Sequence, residues 1–228
     1  MAERNPPRPP AKAPAHPVVR RRQADRSALS DRRLTEAAIE LLVKSGVQRT
    51  TLQAVGERAG YSRALATHRY GSKAGLFGQV LRVASAEWLD RMQKAVGERT
   101  GADALCAVTD ATYRFIRDRP NVVRAMYLLW FQSIDPGAEY QSNLANIHRA
   151  QRRDVEAWVK AAQVAGEVDR SVNRRRLAEQ YIATMAGIAY QWLANSEMPL
   201  GTMYRELKAE IRSRLEPGRG RRTKPSGT

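Results

Sequence analysis

Between residues 18 and 119 the chain contains no proline, and its eleven prolines fall in the two termini apart from Pro120, Pro136 and Pro199. Proline lacks the N–H that a helix interior needs and clashes with the preceding turn. Long intervals without it, filled with Ala, Leu, Arg and Glu, are where helices can run. No alternation of apolar and polar residues marks a strand, so the expected fold class is all-α. The breakers divide the chain into nine helices, near 30 to 45, 51 to 58, 62 to 69, 73 to 97, 102 to 118, 121 to 133, 138 to 166, 173 to 195 and 200 to 215.

Charge separates the ends from the middle. The net charge is +16 over 228 residues, a balance that favours polyanionic partners. Residues 1 to 33 carry nine basic side chains against three acidic ones, and residues 217 to 228 carry four against none. Both ends are rich in Pro, Gly and Arg and poor in large apolar residues, so they bury too little surface to offset the entropy of ordering. The expected organisation is a disordered basic arm over 1–27, a small helical domain over 28–75, a larger one over 76–216 and a disordered tail over 217–228. Residues 4 to 17, RNPPRPPAKAPAHP, have too many prolines for a transit helix and lack the apolar segment of a secretory signal. One cysteine, Cys106, fits a reducing compartment. A cytoplasmic protein without a membrane segment is expected.

The stretch TLQAVGERAGYSRALATHRYGSKAGL, from Thr51 to Leu76, is where the pattern becomes specific. It follows a helix whose Leu34, Ala37, Ala38, Leu41 and Leu42 recur on one face, with Ser30 expected as its N-cap. Thr50 with Gln53 reads as a capping box for the second helix, Leu52, Val55 and Ala59 face inward, and Gly60 supplies the stop. Ser62 caps a third helix in which Leu65 and Ala66 pack, leaving Arg63, Thr67, His68 and Arg69 for an exterior partner. Two short helices around a glycine-containing turn are the plan of the helix-turn-helix, whose second helix enters a major groove of DNA.

Over residues 29 to 81 the chain resembles the tetracycline-repressor (TetR) family of transcriptional regulators: an Ala-rich first helix (LTEAAIELLVKSGV), TTLQAVGERAGYS, and a short helix closing on an aromatic and GSKAGL. The resemblance implies three N-terminal DNA-binding helices, a fourth that connects to a larger domain, and a ligand-binding, dimerising helical bundle. It places the DNA-contacting residues at Thr50, Thr51, Ser62, Arg63, Ala64, Leu65, Thr67, His68, Arg69, Tyr70 and Lys73. Of these, Arg63, Ala64, Leu65 and His68 fall where base edges are met and Thr51, Thr67, Arg69 and Lys73 where phosphates are held. Arg and small apolar groups suit guanine and the thymine methyl respectively. The family's common Tyr-x-His-Phe run is replaced here by Thr67-His68-Arg69-Tyr70, a hydroxyl and a cation that can still serve phosphate. Arg20, Arg21, Arg22 and Arg26 admit two roles, non-specific attraction or contact with a minor groove.

Residues 102 to 215 match the family in layout rather than motif. Tyr113, Met126, Trp130, Phe131, Trp158 and Met185 are the candidates to line the apolar small-molecule pocket that the resemblance implies; taken singly, each such residue is more often plain core. The eighth helix carries small residues at Ala183, Ala186, Gly187 and Ala189, and the ninth a stripe of Met203, Leu207, Ile211 and Leu215. Together these are expected to pair with their symmetry mates in a homodimer interface through helices eight and nine, in preference to simply finishing the monomer core. The expected partners are thus double-stranded operator DNA, a small-molecule inducer of apolar or aromatic character, and a second copy of the chain.

No catalytic grouping, cofactor or metal site is expected. His16, His68 and His148 lie far apart in sequence without ligand spacing, Glu36 with Glu40 and Asp154 with Glu156 read as solvated faces, and Cys106 as an inert core thiol. The function that follows is an inducer-released repressor. A charge-driven nucleic-acid binder without an inducer is the alternative, and a helical enzyme a weaker one.

Overall fold

The computed structural model describes residues 17–134 and 141–216. Among them all the regular structure is helical: α1 (Pro17–Arg49), α2 (Leu52–Ala59), α3 (Arg63–Tyr70), α4 (Lys73–Val96), α5 (Gly101–Asp118), α6 (Pro120–Gln132), α7 (Gln141–Ala165), α8 (Arg174–Ala194) and α9 (Leu200–Leu215). The all-α expectation holds across these residues. Residues 1–16, Pro136 and the tail 217–228 lie outside them.

The first helix departs from expectation at its start. It begins at Pro17 rather than near residue 30, so residues 17–27, assigned to a disordered arm, are helical. Pro17 takes the first helical position, where a missing N–H costs nothing. From there no Gly or Pro interrupts the chain until Gly46, whose φ of 76° kinks the helix near its end. Ser30 is accordingly no cap. It is buried inside α1 and its hydroxyl donates to the carbonyl of Ser27 at 2.8 Å.

The second helix is capped one residue later than the capping box implied. Thr51 Oγ1 accepts from the Ala54 N–H at 3.1 Å, while Thr50 turns inward and donates to the Gly46 carbonyl at 2.9 Å. Gln53, the other half of the expected box, donates to Glu57 at 2.9 Å instead. The stop at Gly60, with φ 77°, and the cap of α3 by Ser62 stand as read. Two glycines let the short helices approach closely. A Cβ on Gly56 would lie 3.0 Å from the Ser62 carbonyl oxygen in the turn, and one on Gly75 would overlap the carbonyl oxygen of Tyr70.

Leu34, Ala38 and Leu42 of α1, Val55 of α2, Ala66 of α3 and Leu76, Phe77 and Val80 of α4 close a buried core around the first three helices. The larger part packs around α5, which contacts α4, α7 and α9, with α8 against α7 and α6 against α1 and α4. Pro120 at the start of α6 forces the corner after α5, because the residue before a proline avoids helical angles. Gln163, buried at the end of α7, donates to the carbonyls of Asp169 and Val172 at 2.9 and 3.0 Å and fixes the turn into α8.

The ninth helix corrects a second expectation. Leu207, Ile211 and Leu215, read as part of a stripe that could meet a symmetry mate, are buried within the single chain. Here α9 lies along α5, with Lys208 paired to Asp110 at 2.6 Å and Arg212 to Asp103 at 3.0 Å on its flanks. The stripe runs continuously because α5 needs an apolar neighbour. On α8, Ala189 is buried too, but Ala183, Thr184, Tyr190 and Ala194 face outward around the half-buried Gly187. No helix among the described residues is long and apolar enough to cross a membrane.

Candidate functional site

The outer face of α3 is made by what its inner face needs. Ala66 is fully buried and Leu65 partly so, which turns Arg63, Ala64, Thr67 and His68 to solvent. Thr51 and Ser62 are exposed at the starts of α2 and α3, each with its hydroxyl already accepting from a helix N–H. Arg63 forms no ion pair among the described residues, so its five donors are available to an outside acceptor.

The remaining residues assigned to DNA are engaged with the protein. Thr50 is fully buried and is removed from any contact surface. Arg69 is drawn back to α1, where Nη2 donates to Ser30 Oγ at 3.3 Å and Nε stands 3.5 Å from the Asp31 carboxylate. The Tyr70 hydroxyl donates to the Asp31 carbonyl at 3.4 Å, and burial raises its pKa. Arg69 and Tyr70 thus brace α3 against α1. They are the residues on the helix turn that returns to the core, a fact the unexpected extension of α1 past Ser30 and Asp31 makes visible. Lys73 also faces α1. It donates to the Gln48 carbonyl at 2.9 Å and lies over the Phe77 ring at 5.5 Å, and burial lowers its pKa. An ammonium has three donors, so two remain for a phosphate.

The fourth helix connects this face to a cavity. Its first turns supply Leu76, Phe77 and Val80 to the N-terminal core, and its later turns supply Ser85, Trp88, Leu89 and Met92 to the wall of a cavity of about 230 Å³. Twenty-four residues of helix span about 36 Å. Beside the cavity α4 is tied to the corner between α5 and α6. Arg91 contacts Glu87 at 3.2 Å and Asp118 at 2.8 Å, Arg119 reaches Glu87 at 3.3 Å, and the Arg91 guanidinium lies over the Phe115 ring.

Of the six residues read as pocket-lining, Met126, Trp130, Trp158 and Met185 line the cavity. Tyr113 and Phe131 do not. On α5 it is Thr112, Phe115 and Ile116 that face inward, and Tyr113 packs instead against Tyr204 of α9 with ring centroids 6.2 Å apart. Phe131 follows inward-facing Trp130 on α6, one residue or about 100° further round the helix. It is 47 % exposed and stands edge-on to Tyr190.

Sequence reasoning also misses part of the wall. Ile147, His148, Gln151, Asp154, Val155 and Trp158 form one stripe along α7, so Asp154 is half-buried in the wall and not on a solvated face. The signal is present in the sequence as polar residues recurring inside an apolar helical stripe. Burial raises the Asp154 carboxyl and, with help from Arg152, lowers the His148 imidazole. Tyr127 and Tyr181 also face the cavity with hydroxyls committed elsewhere. Tyr127 donates to the Ala186 carbonyl at 2.9 Å and Tyr181 to the Leu105 carbonyl at 3.0 Å, and burial pushes both phenols well up. Three other polar atoms of the wall, Ser85 Oγ, Thr112 Oγ1 and Trp130 Nε1, are buried without a hydrogen-bond partner.

A family profile described as bacterial regulatory proteins, tetR family, matches residues 34–80, from α1 into the first turns of α4. No curated protein matches the sequence. Solved structures match over most of the chain. A protein from Rhodococcus sp. described as a TetR-family transcriptional regulator is 20% identical, with a TM-score of 0.66 over 83% of this chain and 100% of its own. SmeT in complex with triclosan is 14% identical, with a TM-score of 0.69 over 83% of this chain and 93% of its own. FadR from Bacillus subtilis in complex with stearoyl-CoA is 13% identical, with a TM-score of 0.68 over 81% and 98%. At such identities the likeness is one of fold.

Proposed function

We propose that this chain, whose residues 34–80 match the tetR family of bacterial regulatory proteins, is a repressor which binds palindromic operator DNA as a homodimer and releases it when a small molecule occupies the cavity. The observation that carries the reading is the single helix α4, whose two ends build the core beneath α3 and the wall of the cavity. A ligand that binds better to one setting of α4 shifts the population of dimers toward that setting. The spacing of the two α3 helices then no longer matches one turn of DNA. Exposed Arg63, Ala64 and His68, with half-buried Leu65, supply the base-reading face, and Thr51, Thr67 and Lys73 the phosphate contacts at its edges.

The outward face of α8, with Ala183, Thr184, Gly187, Tyr190 and Ala194, supports the dimer because small residues let two helices approach. With its apolar stripe in the monomer core, α9 offers that interface only outer residues such as Arg205, Glu206 and Ala209. The ligand complexes of SmeT and FadR support an effector role for the cavity. The test is selection of bound sequences from random duplex DNA by the full-length protein at near-physiological salt. A two-fold symmetric enriched motif is expected. An unenriched pool, bound with steep salt dependence, would assign the affinity to the +16 charge instead.

A further inference from the structure

We propose that the cavity takes a small cationic amphiphile, an apolar or aromatic body carrying one protonated amine that pairs with Asp154; this rests on the reading of the cavity as the effector site. The wall contains no Lys or Arg, and Asp154 supplies its one carboxylate. Asp154 forms no ion pair among the described residues; its neighbour Arg153, exposed on α7, favours the carboxylate by its charge but less than burial opposes it. Asp154 is half-buried in a wall made mostly of apolar side chains, where a carboxylate gains most from a cation that meets it. The wall's imidazole, His148, has its pKa lowered by burial and by Arg152 and stands edge-on to Trp130 at 5.8 Å, so it is poorly placed to supply that cation. A ligand amine would be desolvated between the carboxylate and tryptophan rings, the two environments that most favour an organic cation.

The orphaned polar atoms refine the class. Buried polar groups are paired in more than about nine cases in ten, yet Ser85 Oγ, Thr112 Oγ1 and Trp130 Nε1 on this one wall are not. The indole N–H only donates, so the ligand offers it an acceptor oxygen or nitrogen. A volume of about 230 Å³ exceeds the roughly 150 Å³ that holds a benzene ring and falls below the roughly 300 Å³ of pockets for drug-sized molecules. One ring with a short chain fits. An acyl-CoA, with several phosphates, would face Asp154 with no Lys or Arg in the wall to receive it.

The test is calorimetric titration of the full-length protein, together with its tryptophan fluorescence, using three probes of one shape: phenylbutylamine, phenylbutanol and phenylbutyrate. The amine should bind about tenfold more tightly than the alcohol, and the carboxylate more weakly than both. Asp154→Asn should bring the amine to the affinity of the alcohol while leaving the alcohol unchanged, which also reports that the variant is folded. Equal or tighter binding of the carboxylate would overturn the proposal, as would an amine affinity unmoved by the substitution. The wild-type series decides the charge of the ligand even should the variant lose its fold. Binding of the alcohol with no preference for the amine sinks the cationic assignment and keeps the effector cavity; binding and quenching by none of the three removes both.

Discussion

On α3 the side chains offered to a partner, Arg63, Ala64, Thr67 and His68, stand within six residues of one another on one exposed helix, whereas the cavity wall is drawn from five helices and runs in sequence from Ser85 to Ala189. The first surface is a by-product of local packing. Once Ala66 and Leu65 are turned inward, helical geometry dictates what points out. The second surface exists only where α4, α5, α6, α7 and α8 meet. A residue on it is selected by neighbours a hundred positions away. The two regions should therefore fail differently, the one through loss of its support and the other through change in its contents.

The largest effect expected is on support. Phe77 is almost fully buried where α4 enters the N-terminal core, and Phe77→Ala should cost about 3–5 kcal/mol in urea unfolding and abolish DNA binding. Met126→Ala, which borders space already open, should cost nearer about 2 kcal/mol and leave DNA binding intact. If the two losses were equal, the cavity would be as tightly built as the core beneath α3.

Next in size is the division of labour on α3. Arg63→Ala should weaken operator binding by about 1–3 kcal/mol and relax base preference without moving the unfolding midpoint, and His68→Ala should alter preference likewise. Tyr70→Phe, which removes the bond to the Asp31 carbonyl, should do the reverse: a stability loss of about 1 kcal/mol with preference unchanged. Binding curves on symmetric and scrambled duplexes, beside melting curves, separate the two. A change of base preference in Tyr70→Phe would return that residue to the DNA surface.

The smallest effects concern the polar wall. His148 has its folded pKa lowered by burial, so the unfolded chain binds more protons and stability is lost as pH falls through the ordinary histidine range. Asp154 has its folded pKa raised by burial, so the folded chain holds the extra proton and stability is lost as pH rises just above the ordinary carboxylate range. Both contributions should be small, because both groups keep some contact with water. Melting temperatures against pH for His148→Gln and Asp154→Asn, compared with wild type, should flatten the two limbs separately.

Much of the N-terminal region is legible in the amino-acid sequence because its determinants are near neighbours along the chain. Helical periodicity from Leu34 to Leu42, the stop at Gly60 and the cap at Ser62 act over one turn of chain. Even there, Thr51 and not Thr50 is the cap, since two adjacent hydroxyls can each cap and only the path of the chain after Gly46 selects one. Arg69 and Tyr70 escape a sequence reading for a longer-range reason: their partners, Ser30 and Asp31, lie 39 residues away.

By itself the sequence determined an all-helical chain with a helix-turn-helix read from spacing, caps and proline placement, because those forces are local and each residue carries its own share of them. Only the tertiary structure decided that Tyr113 and Phe131 leave the cavity, that Asp154 enters it, and that Leu207, Ile211 and Leu215 close the monomer core. An amphipathic stripe states that one face of a helix must be covered. What covers it, another helix, a second copy or a ligand, depends on which elements meet in space, and no periodicity encodes that.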